Sequence, residues 1–149
     1  MRVKAPIEAV FGAVTDPRRT LDWNPGLVEV ADVAGLPPGI GTSWRQVAHY
    51  AGRTVSLTCR VVAFSPPHVG VLDVTGDYEG KVTTRCQPAD GGTLLSQTIE
   101  FTPPSGIRGR LAMAVAHPLI AREVSHTLHR QKVILEREAG GADESGSSG

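Results

Sequence analysis

The side chains best suited to chemistry are an aspartate, a threonine and a glutamine set among apolar residues of strand-like segments. Asp73 lies in 69–76, Thr84 in 80–88 and Gln97 in 93–102. Side chains alternate across a strand, so residues two apart share a face. The apolar set is Val55, Leu57, Cys59, Val61 and Ala63 on 53–63, and Trp44, Gln46, Ala48 and Tyr50 on 42–50. It is Val82, Thr84 and Cys86 on 80–88, and Leu95, Gln97, Ile99 and Phe101 on 93–102. Segment 69–76 is ambiguous by composition, since Val69, Val71, Asp73 and Thr75 compete with Leu72 and Val74. A tight turn centred on Tyr78-Glu79 decides it by pairing Asp73 with Thr84 and Val71 with Cys86, because opposite residues share a face. Loops at 51–52, 64–68 and 89–92 set Trp44 opposite Cys59, Cys59 opposite Asp73 and Thr84 opposite Gln97. The expected inner row is therefore Trp44, Cys59, Asp73, Thr84, Gln97. A one-residue change in any loop turns that face over.

A buried carboxylate must be paired, hydrogen-bonded, protonated or wetted. Asp73, with Thr84 and Gln97, is then a polar anchor for a ligand; in the other register it is a solvated strand residue. His117 is the side chain suited to join this group as a cation or proton carrier, the alternative being a histidine that caps backbone or meets solvent. His49, His68, His126 and His129 read as surface residues. No combination of histidine, cysteine and carboxylate has metal-ligand spacing, and neither metal nor cofactor is expected. Trp23 and Trp44 read as core or as pocket wall. Cys59 has no base placed beside it, which argues against a nucleophile. A GxSxG elbow, a P-loop and a dinucleotide fingerprint are all absent, and no residue is assigned a catalytic role.

The elements that must position these residues follow from the same spacing. Pro6 opens a helix to about Thr15, on which Ile7, Val10, Phe11 and Val14 recur at helical intervals. Asp16-Pro17 breaks it and starts a second short helix toward Trp23. A strand follows over 27–33, then a Pro- and Gly-rich loop over 35–41. From 42 to 102 short turns separate successive strands, which favours an antiparallel meander. A long helical segment over 107–138, interrupted at Pro118, comes last. Its stripe Ala121, Val124, Leu128, Leu135 projects back to His117 and should cover the sheet. The chain thus reads as α+β, with a curved antiparallel sheet of six to seven strands wrapped around a long C-terminal helix and two short helices near the N-terminus. Between sheet and helix lies an expected pocket. Its floor is Leu57, Cys59, Val71, Val82, Cys86, Ile99 and Phe101, and its lid Leu111, Val115, Val124 and Leu128.

At 149 residues the chain fits one domain, placed at 1–138, with a Gly-, Ser- and acid-rich tail at 139–149 expected to be disordered. Lys plus Arg and Asp plus Glu are 15 each, so no charge footprint for nucleic acid or an anionic membrane appears. The two cysteines, Cys59 and Cys86, sit in strand segments as small hydrophobes, which fits a reduced, cytoplasmic setting. No signal pattern opens the chain, and the longest apolar stretch, 111–121, falls short of the roughly 20 residues of a membrane span.

Several phrases resemble a known family. "VKAPIEAVFGAVTDPRRTLDWNPGLVEV" is similar to the start of START-related, SRPBCC-type domains, which include polyketide cyclase/dehydrases and lipid-transfer proteins. "LPPGIGTSWRQ", "VVAFSPPHVGVLDVTG" and "PADGGTLLSQTIEF" look like its successive hairpins, and Ile107–Glu138 like its closing helix. The resemblance spans roughly residues 3–138 and departs in the first strand, of which only Met1 to Ala5 are present. It implies a helix-grip fold with a cavity but no single activity; the leading expectation is binding or transport of a hydrophobic small molecule such as a lipid, polyketide or aromatic metabolite. Two alternatives come with it: a cofactor-independent polyketide cyclase/dehydratase, and a protein-interaction module related to chaperone-ATPase activators.

Overall fold

A computed structural model describes residues 1–24, 26–50, 52–102, 122 and 125–140. Strand β1 (Arg2–Val3) leads through Pro6, which stands just before the first helix rather than within its first turn, into α1 (Ile7–Val14). The 3.6-residue spacing buries Val10 and Phe11. A 3-10 turn (Pro17–Arg19) and the single turn α2 (Thr20–Trp23) follow.

Asp16 fixes the start of the 3-10 turn. Its Oδ1 accepts from the Arg18 backbone N–H at 2.9 Å, and the Arg18 guanidinium grips both carboxylate oxygens at 2.9 and 2.8 Å. The Arg18 hydrogen bonds hold the Asp16 carboxyl below its ordinary range. A carboxylate whose folded pKa is depressed stabilises fully above its unfolded pKa, and that stability goes as pH falls through the lowered folded value. Asp16→Ala is therefore expected to cost about 1 kcal/mol at pH 7. Urea unfolding of both proteins should show the gap closing as the solution is acidified below the usual aspartate range.

Six strands complete the sheet: β2 (Leu27–Ala34), β3 (Ser43–Tyr50), β4 (Arg53–Ser65), β5 (Val69–Gly76), β6 (Glu79–Ala89) and β7 (Gly92–Thr102). They form one seven-stranded sheet, all antiparallel, in the order β1-β7-β6-β5-β4-β3-β2. The first strand is short but paired, and reciprocal 2.7 Å bonds join the Met1 and Leu95 backbones. The last helix, α3, is described over 125–140, so it continues through Ala139 and Gly140 beyond the expected start of the tail. Residues 103–121, with Pro118, and the tail from 141 lie outside the described residues. This is the helix-grip arrangement expected from the sequence: a curved antiparallel sheet, two short N-terminal α-helices joined by a 3-10 turn, and a C-terminal helix.

Two of the expected registers hold: Trp44 pairs with Cys59, and Thr84 with Gln97. The registers around β5 do not. Asp73 pairs with Arg60 and Lys81, not with Cys59 and Thr84. The cause is a bulge between Val61 and Ala63, which leaves Val62 without an opposite residue. Beyond it, Val61 pairs with Leu72 and Cys59 with Val74, whereas an unbulged continuation from Ser65–Val69 would have set Val61 against Asp73. On the other side the turn centres on Asp77, so Leu72 faces Val82. The inner residues of β5 are thus Gly70, Leu72 and Val74, while Val71 and Asp73 face outward. The bulge also places Phe64 inside, where Ala63 was expected.

The core has two parts. One gathers Val3, Val10, Phe11, Trp23, Cys86, Leu95 and Leu135, joining β1, α1, α2 and α3 to the β6–β7 end of the sheet. The other lies on β3–β5 around Trp44, Cys59, Val61 and Val74. Phe64 packs against both, and its ring meets Phe11 at 5.4 Å.

Candidate functional site

The inner face of the sheet forms the candidate site, and its rows follow from the registers. Trp44, Cys59, Val74, Gly80 and Phe101 form one row; Val61, Leu72, Val82 and Ile99 the next; Phe64, Gly70, Thr84 and Gln97 the third. Gly70 lies against the end of α1: an added Cβ would meet Thr15 and Phe11 at 3.4 and 3.7 Å, in ordinary van der Waals contact. The expected row of five therefore divides, with Trp44 and Cys59 in the first row and Thr84 and Gln97 two rows away.

Polar atoms on this face occur in matched pairs. The Trp44 indole N–H donates to Gln46 Oε1 at 3.1 Å, across two positions of one strand. Gln97 Nε2 donates to Thr84 Oγ1 at 3.3 Å, and Thr84 is 6% exposed. Each bond satisfies a group that would be costly to bury unpaired, and leaves neutral hydrogen-bonding capacity in an apolar wall.

Leu57 and Val82 border the second core beside Cys59, and Ile99 pairs with Val82. Cys86, Trp23 and the half-buried Leu128 belong to the first core. Trp23 lies under the Arg19 guanidinium, 4.9 Å from its ring centre, and Arg19 also grips Glu138 of α3. The Phe101 backbone pairs with Gly80, but its side chain is outside the described set. Leu111, Val115, His117 and Val124, expected as lid residues, also lie outside the described residues.

Val71 and Asp73 are corrections. Both stand on the outer face, where Arg60, Asp73, Lys81 and Glu100 run across four strands with alternating charge. The Asp73 side chain is 45% exposed and lies 3.8 Å from the Lys81 ammonium. A solvated pair of this kind contributes little. Asp73→Asn is expected to change stability by less than about 1 kcal/mol and to leave binding of any apolar ligand unaltered, which thermal melts and a ligand titration would check.

Burial pushes the Cys59 thiol up to about 12 and the Cys86 thiol to about 11, so both are protonated at neutral pH. A thiol held that far above the pH is a poor nucleophile. In native protein at pH 8, Ellman's reagent should label both at least about a hundredfold more slowly than a free cysteine, and both should react at once in denaturant. Prompt labelling of Cys59 in the native state would count against this account of the floor.

Alternation alone did not mark Leu72, Val74 and Phe64. Gln131 was also missed, although its spacing from Leu128 and Leu135 (three and four) puts it on the same stripe of α3. It is 1% exposed, and among the described residues its Oε1 has no hydrogen-bond partner. Elsewhere, an open depression at the β5–β6 turn carries the charged side chains of Asp73, Glu79, Lys81 and Glu100 beside Val74, Thr75 and Gly80. Among the described residues no three of His, Cys, Asp and Glu are grouped as metal ligands, and no described helix is long and apolar enough to cross a membrane.

Comparison with known proteins agrees with this architecture. The sequence profile described as "Polyketide cyclase / dehydrase and lipid transport" matches residues 1–136. No curated protein matches the chain. Among solved structures, a Thermus thermophilus protein is similar with a TM-score of 0.80 at 19% identity, covering 93% of this chain and 95% of the other. The Zhui aromatase/cyclase of Streptomyces sp. R1128 gives 0.77 at 20% identity, covering 92% and 90%. A Rhodobacter sphaeroides protein gives 0.68 at 28% identity, covering 91% and 88%.

Proposed function

This chain belongs to the polyketide cyclase/dehydrase and lipid-transport family, within the START-related SRPBCC-type domains, and on that premise we propose that it binds a hydrophobic small molecule against the inner face of its sheet. The observation that carries this reading is the continuous apolar face from Trp44 through Cys59, Val61 and Val74 to Leu72 and Val82, with the Thr84–Gln97 pair set into it. An apolar wall supplies affinity, and a few placed polar groups fix orientation. Lipids, polyketides and aromatic metabolites match that chemistry. Two free, buried thiols suit a reducing, cytoplasmic setting.

Native mass spectrometry of the purified protein tests the proposal. One equivalent of a co-purified or added apolar molecule, lost on denaturation, supports it; a protein that stays empty after incubation with lipid, polyketide and aromatic mixtures refutes it. The family also includes cyclases, so a catalytic version of the same pocket is the second reading. It needs a proton carrier, for which His117 is the side chain of this sequence best suited. A carrier returns the ligand unchanged, whereas a cyclase releases water and a cyclised product.

A further inference from the structure

Among the described residues, the buried polar side chains of the inner shell are neutral, and the Gln131 amide oxygen is unsatisfied. Gln131 is 1% exposed, and among the described residues its Oε1 has no hydrogen-bond partner. A buried carbonyl left unpaired costs roughly 1–3 kcal/mol, so a glutamine held there for packing alone is a poor choice beside leucine or methionine.

Its place in the fold indicates what it could serve. On α3, Gln131 stands between Leu128 and Leu135, both packed against the first core. That core includes the paired residues Cys86 and Leu95 of β6 and β7. One row further along the same strands, on the same face, are Thr84 and Gln97, joined by their hydrogen bond, and then Phe64, which borders both cores. Helix and sheet thus each carry neutral polar groups beside the two cores that Phe64 joins: an amide on the helix, and an amide with a hydroxyl on the sheet.

We infer that Gln131 is a specificity-determining residue of the proposed pocket and that the ligand it selects is a hydroxylated apolar molecule, a phenol or alcohol. This rests on the pocket reading above. An amide offers an acceptor and donors side by side, and a hydroxyl both donates and accepts, so the match holds whichever way the amide is turned. A ligand lacking the hydroxyl leaves the buried acceptor unpaired, and such sites discriminate strongly against the deoxy analogue.

The test compares 1-naphthol with 1-methylnaphthalene, nearly the same in shape but differing in the hydroxyl, by calorimetric titration of the wild type and Gln131→Met. The wild type should prefer the naphthol. In Gln131→Met, naphthol affinity should fall about tenfold while methylnaphthalene affinity holds or rises, and the free variant should melt no lower than the wild type. That combination distinguishes a ligand contact from a structural one, because loss of a structural glutamine would lower the melting temperature and weaken both ligands together. If the variant does not fold, the wild-type Gln131 side-chain amide signals give the same answer by NMR, moving with naphthol and not with methylnaphthalene. Equal binding of both ligands by wild type and variant, or unmoved amide signals, overturns the role of Gln131 and leaves the pocket standing. Failure of the wild type to bind either ligand overturns the pocket and this inference together.

Discussion

Replacing Trp44 with alanine should cost about 3–5 kcal/mol of stability and abolish binding of an apolar ligand. Trp44 is 5% exposed and occupies the edge of the inner row, against Cys59 and within reach of Val61 and Val74. Removing the indole leaves a cavity that strands paired over eight residues on β3–β4 cannot close by shifting. It also strands Gln46, whose Oε1 loses its donor. Trp44→Phe separates the two consequences, because it keeps most of the apolar area and loses the N–H. It should fold with a loss of about 1–2 kcal/mol and retain ligand binding within a few fold. Chemical denaturation and a ligand titration read both effects. Wild-type affinity in a folded Trp44→Ala protein would remove Trp44 from the wall.

A comparable loss is expected at Gly76, at the end of β5. Its φ of 117° lies where L side chains are strained, and a Cβ there would come 2.6 Å from the Ser56 carbonyl oxygen and 3.3 Å from Leu57 Cα. Both are backbone atoms of β4, so they cannot swing aside. The Ser56 carbonyl also accepts from the Asp77 N–H at 3.1 Å, while the Ser56 N–H donates to Asp77 Oδ2 at 2.8 Å. Gly76→Ala must push this clasp open or distort the chain, at about 2–4 kcal/mol. Its urea midpoint should drop accordingly, and amide exchange at Ser56 and Asp77 should accelerate. An alanine variant as stable as the wild type would show that the close approach is not what holds the β4–β5 register.

That register is also where sequence reasoning met its limit. The β3–β4 pairing was legible because Ala51-Gly52 leaves room for one tight turn, and Tyr50 duly pairs with Arg53. The β6–β7 pairing was legible for a similar reason, around Asp90-Gly91. Strand β4 defeats alternation at its far end, since Val61, Val62, Ala63 and Phe64 are all apolar and a period of two cannot be seen in them. The bulge falls within that run, and one extra residue turned Asp73 from the expected anchor into a member of the solvent-facing charge row. The fold survived the error because the order and direction of strands do not depend on register. The pairing of Thr84 with Gln97 was unaffected because they lie on β6 and β7, beyond the faulty turn. Gln131 carried a readable signal, a polar residue at the apolar interval of a helix, but only its burial and its unpaired oxygen set it apart from a tolerated exception.

The central claim, that an apolar molecule occupies the inner face of the sheet, is tested most directly by methyl NMR of valine- and leucine-labelled protein titrated with 1-naphthol. Saturable shifts should appear at the methyls of Leu57, Leu72, Val74 and Val82, while those of the outward Val62 and Val71 stay in place. Shifts centred on Val62 and Val71, or none up to the solubility limit of the probe, would contradict it.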